Sequence, residues 1–235
     1  MYSKICAIKG GACNDKPQFE MNETEKRNSF VFSIIIHPTT QLTMKKNRLE
    51  AFSDGVFAII ITIMVLDLKI PKDDHVSALV PLLPTFVSYI LSFIYLGIYW
   101  NNHHHLWHIA THVDGKLLWA NLHLLFWLSL LPFATGWMGE NHFSTWPVAC
   151  YGFILLMAGV AYYVMSRMLI GVHGKDSDLA RAYGKDFKGR ISIVIYLVAI
   201  FISLYSSWLS FSMYTVVALI WLPPDPRIER LLNKN

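Results

Sequence analysis

The sequence predicts an all-α membrane protein with six transmembrane helices per chain and both termini cytoplasmic, and three observations carry that expectation. Charged residues make up 15% of the 235-residue chain and hydrophobic residues 54%, whereas an ordinary soluble domain carries about 25% charge. Residues 76–102, 117–139 and 141–166 each run without Asp, Glu, Lys or Arg, and roughly 20 such residues cross about 30 Å of hydrocarbon. Apart from Lys69 and Lys72, the Lys and Arg residues between and beyond the apolar runs gather on one side of the membrane if there are six crossings. These features argue against a disordered chain, an ordinary soluble enzyme and a disulfide-stapled secreted module. The three cysteines, Cys6, Cys13 and Cys150, are scattered and form no framework.

Taken in order, the expected spans are about 49–68, 79–101, 117–135, 146–167, 190–206 and 209–223. The first is apolar except for Glu50, Asp54 and Asp67. The third ends in Leu131-Pro132-Phe133-Ala134-Thr135, where proline frees a carbonyl one turn back and is expected to bend the helix. The last uncharged run, 191–224, has 34 residues, too many for one ordinary span, and its serine-rich middle suits a tight turn between two. Charge chooses between five and six crossings. Lys45, Lys46 and Arg48 precede the first span and Lys116 follows the second; Arg167, Lys188, Arg190 and their neighbours fill the loop after the fourth, and Arg227, Arg230 and Lys234 form the tail. Six spans place all of them in the cytoplasm, where the positive-inside rule wants them. Residues 1–43 do not fit the scheme. Their apolar stretch 30–36 is too short to span and has no cleavage site after it. They are expected to be a disordered extension or a mis-assigned start, with the six-helix membrane unit at 44–235.

Within the first span, Asp54 is costly, about 2.5–3.5 kcal/mol for an ionised residue deep in a membrane helix. It should therefore face protein and find partners. At 100° per residue Ile59, Ile63 and Leu66 share one stripe, with Thr62 at its edge and Phe52 and Arg48 continuing it; Asp54 and Ser53 lie about 140° and 120° away on either side. Such a stripe can equally pack against lipid or another helix. A second cluster, Trp100-Asn-Asn-His-His-His-Leu-Trp107 with His108, His112 and His123, has histidines at the three- and four-residue spacing that could ligate a metal. No HExxH, Cys pair or carboxylate stands at ligand spacing there, so hydrogen bonding to loops, water or Asp54 is the plainer expectation. Asn121 is a candidate interhelical hydrogen-bond partner. No nucleotide-binding glycine loop, Ser/His/Asp order or paired buried carboxylates are found, so no catalytic residue, cofactor or nucleic-acid partner is expected.

Arg48-x-x-x-Phe52-Ser53-Asp54, running into Gly-Val-Phe-Ala-Ile59, resembles the signature of the endolysosomal potassium channel family, transmembrane protein 175, and its prokaryotic relatives. Trp100-x-x-His103-His104, Asn121 and Pro132-Phe133-x-Thr135 are similar to that family's pattern, and the resemblance extends over residues 44–235. It implies a homotetramer of one six-helix unit, with the first helix lining a central K⁺ pathway. The constriction falls on Ile59, further apolar layers on Ile63 and Leu66, and a pore-facing hydroxyl, beside which K⁺ would pass, on Thr62. Asp54 and Ser53 would bond His103 or His104 and Asn121, with Arg48 and Phe52 completing the cytoplasmic end. The resemblance implies a passive K⁺ channel in the cell membrane, as a multi-pass protein of a bacterial inner membrane. His105, His108 and His112 exceed the motif and make pH sensitivity an expectation. The runner-up is a small transporter or metal-handling membrane protein built on the histidine cluster.

Overall fold

Every described element is helical in the computed structural model, which describes residues 46–223 apart from 72, 111–112, 175–176, 178–179 and 181–185. The 1–43 extension and the basic tail lie outside the described residues. Helix α1 is Lys46–Leu66, and a 3₁₀ segment, Val76–Leu82, leads into α2, Leu83–Ile109. Next come α3 (Gly115–Ser129), α4 (Leu131–Glu140), α5 (Thr145–His173), α6 (Phe187–Ser203) and α7 (Ser207–Trp221). Four helical stretches are long and apolar enough to cross a membrane: α1, the 3₁₀ segment with α2, α3 with α4, and α5. Helices α6 and α7 have 17 and 15 residues.

Local chemistry explains most boundaries. Pro132, at the start of α4, cannot donate to the ladder, and the chain turns at Leu130, so the expected bend is a break between α3 and α4. Helix α3 starts where the Asp114 side chain accepts from the Leu117 amide at 2.8 Å, and α6 where Asp186 accepts from Gly189 at 2.7 Å; both are N-caps that satisfy an otherwise orphan donor. Helix α5 stops at Gly174, whose φ of +89° is a conformation that glycine takes without a Cβ penalty. The serine-rich turn falls at 204–206, with Ser206 capping α7. Helix α2 runs two turns beyond the expected end of the second span. Leu106 and Trp107 in that extension are fully buried, so packing sustains it.

Helix α5 is the hub, packed against α3, α4, α6 and α7, while α1 leans on α2, α3 and α4. Between lipid-solvated helices there is no hydrophobic drive, so close approach and hydrogen bonds hold the bundle. Ser92 Oγ of α2 lies 2.7 Å from Thr135 Oγ1 of α4 and 3.0 Å from the Tyr151 hydroxyl of α5. Ser210 Oγ of α7 donates to the Ala199 carbonyl of α6 at 2.7 Å. At the turn after α4, His142 and Phe143 both take positive φ, and the buried Phe143 ring packs on Trp208 and Phe211 at centroid distances of 4.8 and 4.6 Å. Two non-glycine residues hold that backbone because the ring is locked between its neighbours.

Gly139 sets how near α4 comes to α2. A Cβ there would stand 2.6 Å from both Thr85 Cα and Ser88 Oγ, and a backbone atom cannot swing aside. Gly139→Ala is expected to cost about 1–3 kcal/mol by overpacking, lowering the thermal midpoint of the detergent-solubilised protein in size-exclusion chromatography. Gly171→Ala meets nothing within 4 Å and is expected to leave the midpoint unchanged or raise it.

Candidate pore helix and the network behind it

Helix α1 presents two faces. Leu49, Ser53, Phe57, Ile60 and Met64 recur at three- and four-residue spacing and are buried against the bundle. The other side carries Phe52, Ile59, Thr62, Ile63 and Leu66, all exposed in the single chain, with Ile59 at 59% and Leu66 at 81%. Arg48, one turn into the helix, is exposed on the same side as Phe52. A groove runs beside this face, lined by Ile59 and Ile63 of α1 and by Ser129, Pro132 and Phe133 at the α3–α4 break.

Behind the buried face stands a polar chain across three helices. Ser53 Oγ donates to the Leu49 carbonyl at 2.9 Å and accepts from Asn121 Nδ2 of α3 at 3.0 Å. With its Nδ2 given to Ser53, Asn121 accepts at Oδ1 from His103 Nε2–H of α2 at 2.7 Å, and the Trp107 indole nitrogen stands 2.9 Å from that same ring nitrogen. Ser53, Asn121 and His103 are each no more than 1% exposed. The Phe57 ring meets the His103 ring edge-on at 5.6 Å, closing the apolar side. Because Asn121 Oδ1 can only accept, the sense of the Asn121 amide places the His103 proton on Nε2, which then has no lone pair to accept from Trp107, leaving that indole as a close packing neighbour.

Asp54 does not join this chain. The structure corrects the expectation that it bonds His103 or His104 and Asn121: its Oδ1 accepts from Trp100 Nε1–H at 2.9 Å, and its side chain is exposed in the single chain. The reason is angular. Ser53 and Asp54 differ by 100° around the helix, so only one can point at the α2–α3 seam, and Ser53 does. His104 stacks on the Trp100 indole, centroids 6.0 Å apart and 21° from parallel, placing it in Asp54's outer surroundings. Trp100 and Trp107 are the partners that sequence reasoning missed. The available signal was spacing: His103 with Trp107 and His123 with Trp127 both stand four apart, and in both the indole nitrogen stands 2.9 Å from an imidazole nitrogen. A further tie not foreseen is Lys46 Nζ, which donates to the His108 carbonyl at 3.0 Å and fastens the start of α1 to the end of α2.

The His104 ring lies 5.8 Å from that of His105 and 6.2 Å from that of His108. Among the described residues no group of three His, Cys, Asp or Glu side chains is placed to hold a metal ion, and His112 lies outside them.

Removing one member of the buried chain strands its neighbours. Asn121→Ala is expected to destabilise the protein by about 1–3 kcal/mol, the usual penalty for leaving buried polar groups unpaired, read as a lower thermal midpoint. Trp100→Phe keeps the ring and deletes only the N–H to the exposed Asp54, so its effect should be smaller. The reverse order would move the anchoring role from Asn121 to the Trp100–Asp54 pair.

Comparison with known proteins places the chain among relatives. The family model described as the endosomal/lysosomal potassium channel TMEM175 matches residues 48–132, the stretch that contains α1, α2, α3 and the Pro132 break. A protein of Chryseobacterium sp. strain P1-3 named a potassium channel is 53% identical over 192 residues, covering 82% of this chain and all of that protein. Another so named, from Streptomyces collinus, is 34% identical over 129 residues, 52% of this chain and 63% of that protein. The crystal structure of a lysosomal potassium-selective channel TMEM175 homolog from Chamaesiphon minutus matches with a TM-score of 0.66 at 28% identity, covering 75% of this chain and 96% of that one. With an all-helical fold, a matching motif region and a relative aligned along its whole length, the chain belongs to the TMEM175 family of potassium channels.

Proposed function

We propose that this chain is a passive potassium channel in which four copies surround a pathway lined by α1. The observation that supports this reading best is the outward face of α1, where Ile59, Thr62, Ile63 and Leu66 stand exposed in one stripe. The apolar groove beside the stripe, between Ile59 and Phe133, suits the edge of an adjoining copy. Six crossings, with α6 and α7 as the last two, keep the basic residues Lys46, Arg48, Arg167, Lys188 and Arg190 on the cytoplasmic side. The setting that fits is a bacterial inner membrane.

Four Ile59 side chains would form an apolar neck that an ion enters only after shedding part of its water. K⁺ sheds water more easily than Na⁺, so a narrow apolar ring favours it without a cage of carbonyls, and the same ring can close by dewetting. Thr62 suits the next station. Its hydroxyl donates back to the carbonyls of Ala58 and Ile59, at 3.0 and 2.9 Å, which turns the hydrogen into the helix and leaves lone pairs outward for a cation. Ser53, Asn121 and His103 hold the helix from behind, and Asp54 with Trp100 holds it at its side near the cytoplasmic end. Ile63 and Leu66 continue the apolar lining outward.

The test is the reversal potential of purified protein in planar bilayers under opposed K⁺ and Na⁺ gradients, with wild type beside Ile59→Asn. Wild type is expected to reverse near the K⁺ equilibrium potential, and Ile59→Asn to shift toward zero as the polar ring admits hydrated Na⁺. Native mass spectrometry of the same sample should give four chains. A folded tetramer with no K⁺ current, or an unchanged selectivity in Ile59→Asn, would overturn the neck.

A further inference from the structure

The outward stripe of α1 ends in a charge. Asp67 stands four residues beyond Ile63 and eight beyond Ile59. The Leu68 amide still donates to the Val65 carbonyl at 3.1 Å, so the helical turn carries past Leu66 and keeps Asp67 near their line. With Ile59, Ile63, Pro132 and Phe133 it lines the groove beside α1, and it is the one charged residue there among the described residues. Its carboxylate lies over α4 at Gly136, where a Cβ would stand 3.6 Å from Oδ2. Glycine sets no side chain across it, and Asp67 is exposed. Among the described residues it makes neither a hydrogen bond nor an ion pair. The cation two residues on is already committed: Lys69 Nζ lies 2.8 Å from Glu140 Oε1 at the end of α4. Lys72 lies outside the described residues, and Asp73 and Asp74 follow it.

An apolar stripe holds no charge of its own to draw ions in, so at low salt their supply at its mouth limits the current. We propose that Asp67 sets the K⁺ conductance from the outer end of α1, by raising the cation concentration at the mouth of the pathway. In the tetramer lined by α1, on which this inference rests, four such carboxylates stand at the end of the stripe just beyond Leu66. They act through the field: charges of one sign around a low-dielectric mouth concentrate counter-ions by roughly tenfold or more. No contact with a dehydrated ion is needed. The apolar ring at Ile59 goes on deciding which cation passes, while Asp67 decides how often one arrives. Lys69 matters through where its charge is spent, since Glu140 keeps it from neutralising the mouth.

The experiment is single-channel recording of the purified full-length protein in planar bilayers of phosphatidylcholine, a lipid without net charge. Symmetric K⁺ is set at about 10 mM and then at about 1 M, where the screening length is roughly 30 and 3 Å. Asp67→Asn, which keeps size and shape, is expected to lower the conductance at low salt about threefold or more. It should leave the conductance at high salt, and the reversal potential between K⁺ and Na⁺, as in wild type. Glu140→Gln keeps Asp67 but leaves Lys69 unpaired at the same end, and is expected to lower the low-salt conductance as well. An Asp67→Asn channel with wild-type conductance at low salt would overturn the role. So would an equal loss at both salts or a shifted reversal potential, either of which would put Asp67 in direct contact with the passing ion. Where Asp67→Asn no longer assembles as four chains, Glu140→Gln decides, and an unchanged low-salt conductance there overturns the proposal. Wild type without K⁺ current would overturn the channel reading itself, a result distinct from all of these.

Discussion

A helix in a lipid-solvated bundle cannot be held in place by the force that builds soluble cores. In lipid an apolar side chain gains nothing by turning inward, because the tails around it are equally apolar. Helix α1 is therefore held through its polar back. Ser53, Asn121 and His103 link three helices in one hydrogen-bonded line, with the Trp107 indole beside it, and the buried Phe57 ring packs edge-on against His103. Each member is buried and each depends on the next, which fixes the rotation of α1 about its own axis. That rotation decides which residues face outward, so the exposed stripe of Ile59, Thr62, Ile63 and Leu66 is a consequence of what happens on the opposite side of the helix.

The same geometry separates two residues that a linear motif presents as a pair. Ser53 enters the seam between α2 and α3, while Asp54 looks sideways along α2 and meets an indole. A carboxylate held by a single N–H keeps most of its acceptor capacity, which suits a position at the edge of the bundle rather than within it. Arg48 and Lys46 lie one to two turns away toward the N-terminus, and Lys46 adds a second tether between α1 and α2.

Much of this was legible beforehand. Charge-free runs and the placement of Lys and Arg marked out the helical segments, and the 100° step along α1 separated the aliphatic stripe from Ser53 and Asp54. Pro132 announced the break between α3 and α4. What the sequence did not disclose was tertiary. The partner of Asp54 is an indole on another helix, and periodicity within α1 contains no information about α2. The extension of α2 to Ile109 depends on burial of Leu106 and Trp107, which composition of that polar, histidine-rich stretch conceals. The pairing of His103 with Trp107 went unread in their four-residue spacing, and only the packing of α3 makes His103 a partner of Asn121.

The α6–α7 hairpin has a bearing on the membrane itself. Fifteen residues of α-helix rise about 22 Å and seventeen about 25 Å, short of the ~30 Å hydrocarbon slab. If the two helices cross, the lipid must come to them: the bilayer pinches around the hairpin, or side chains near the helix ends such as Trp208 and Lys188 reach outward to cover the shortfall. Such a protein has an uneven hydrophobic girth, thicker at α2 and α5 than at its rim. Acyl-chain length then becomes a variable of the channel's environment, with shorter-chain lipids gathering where the chain is thinnest.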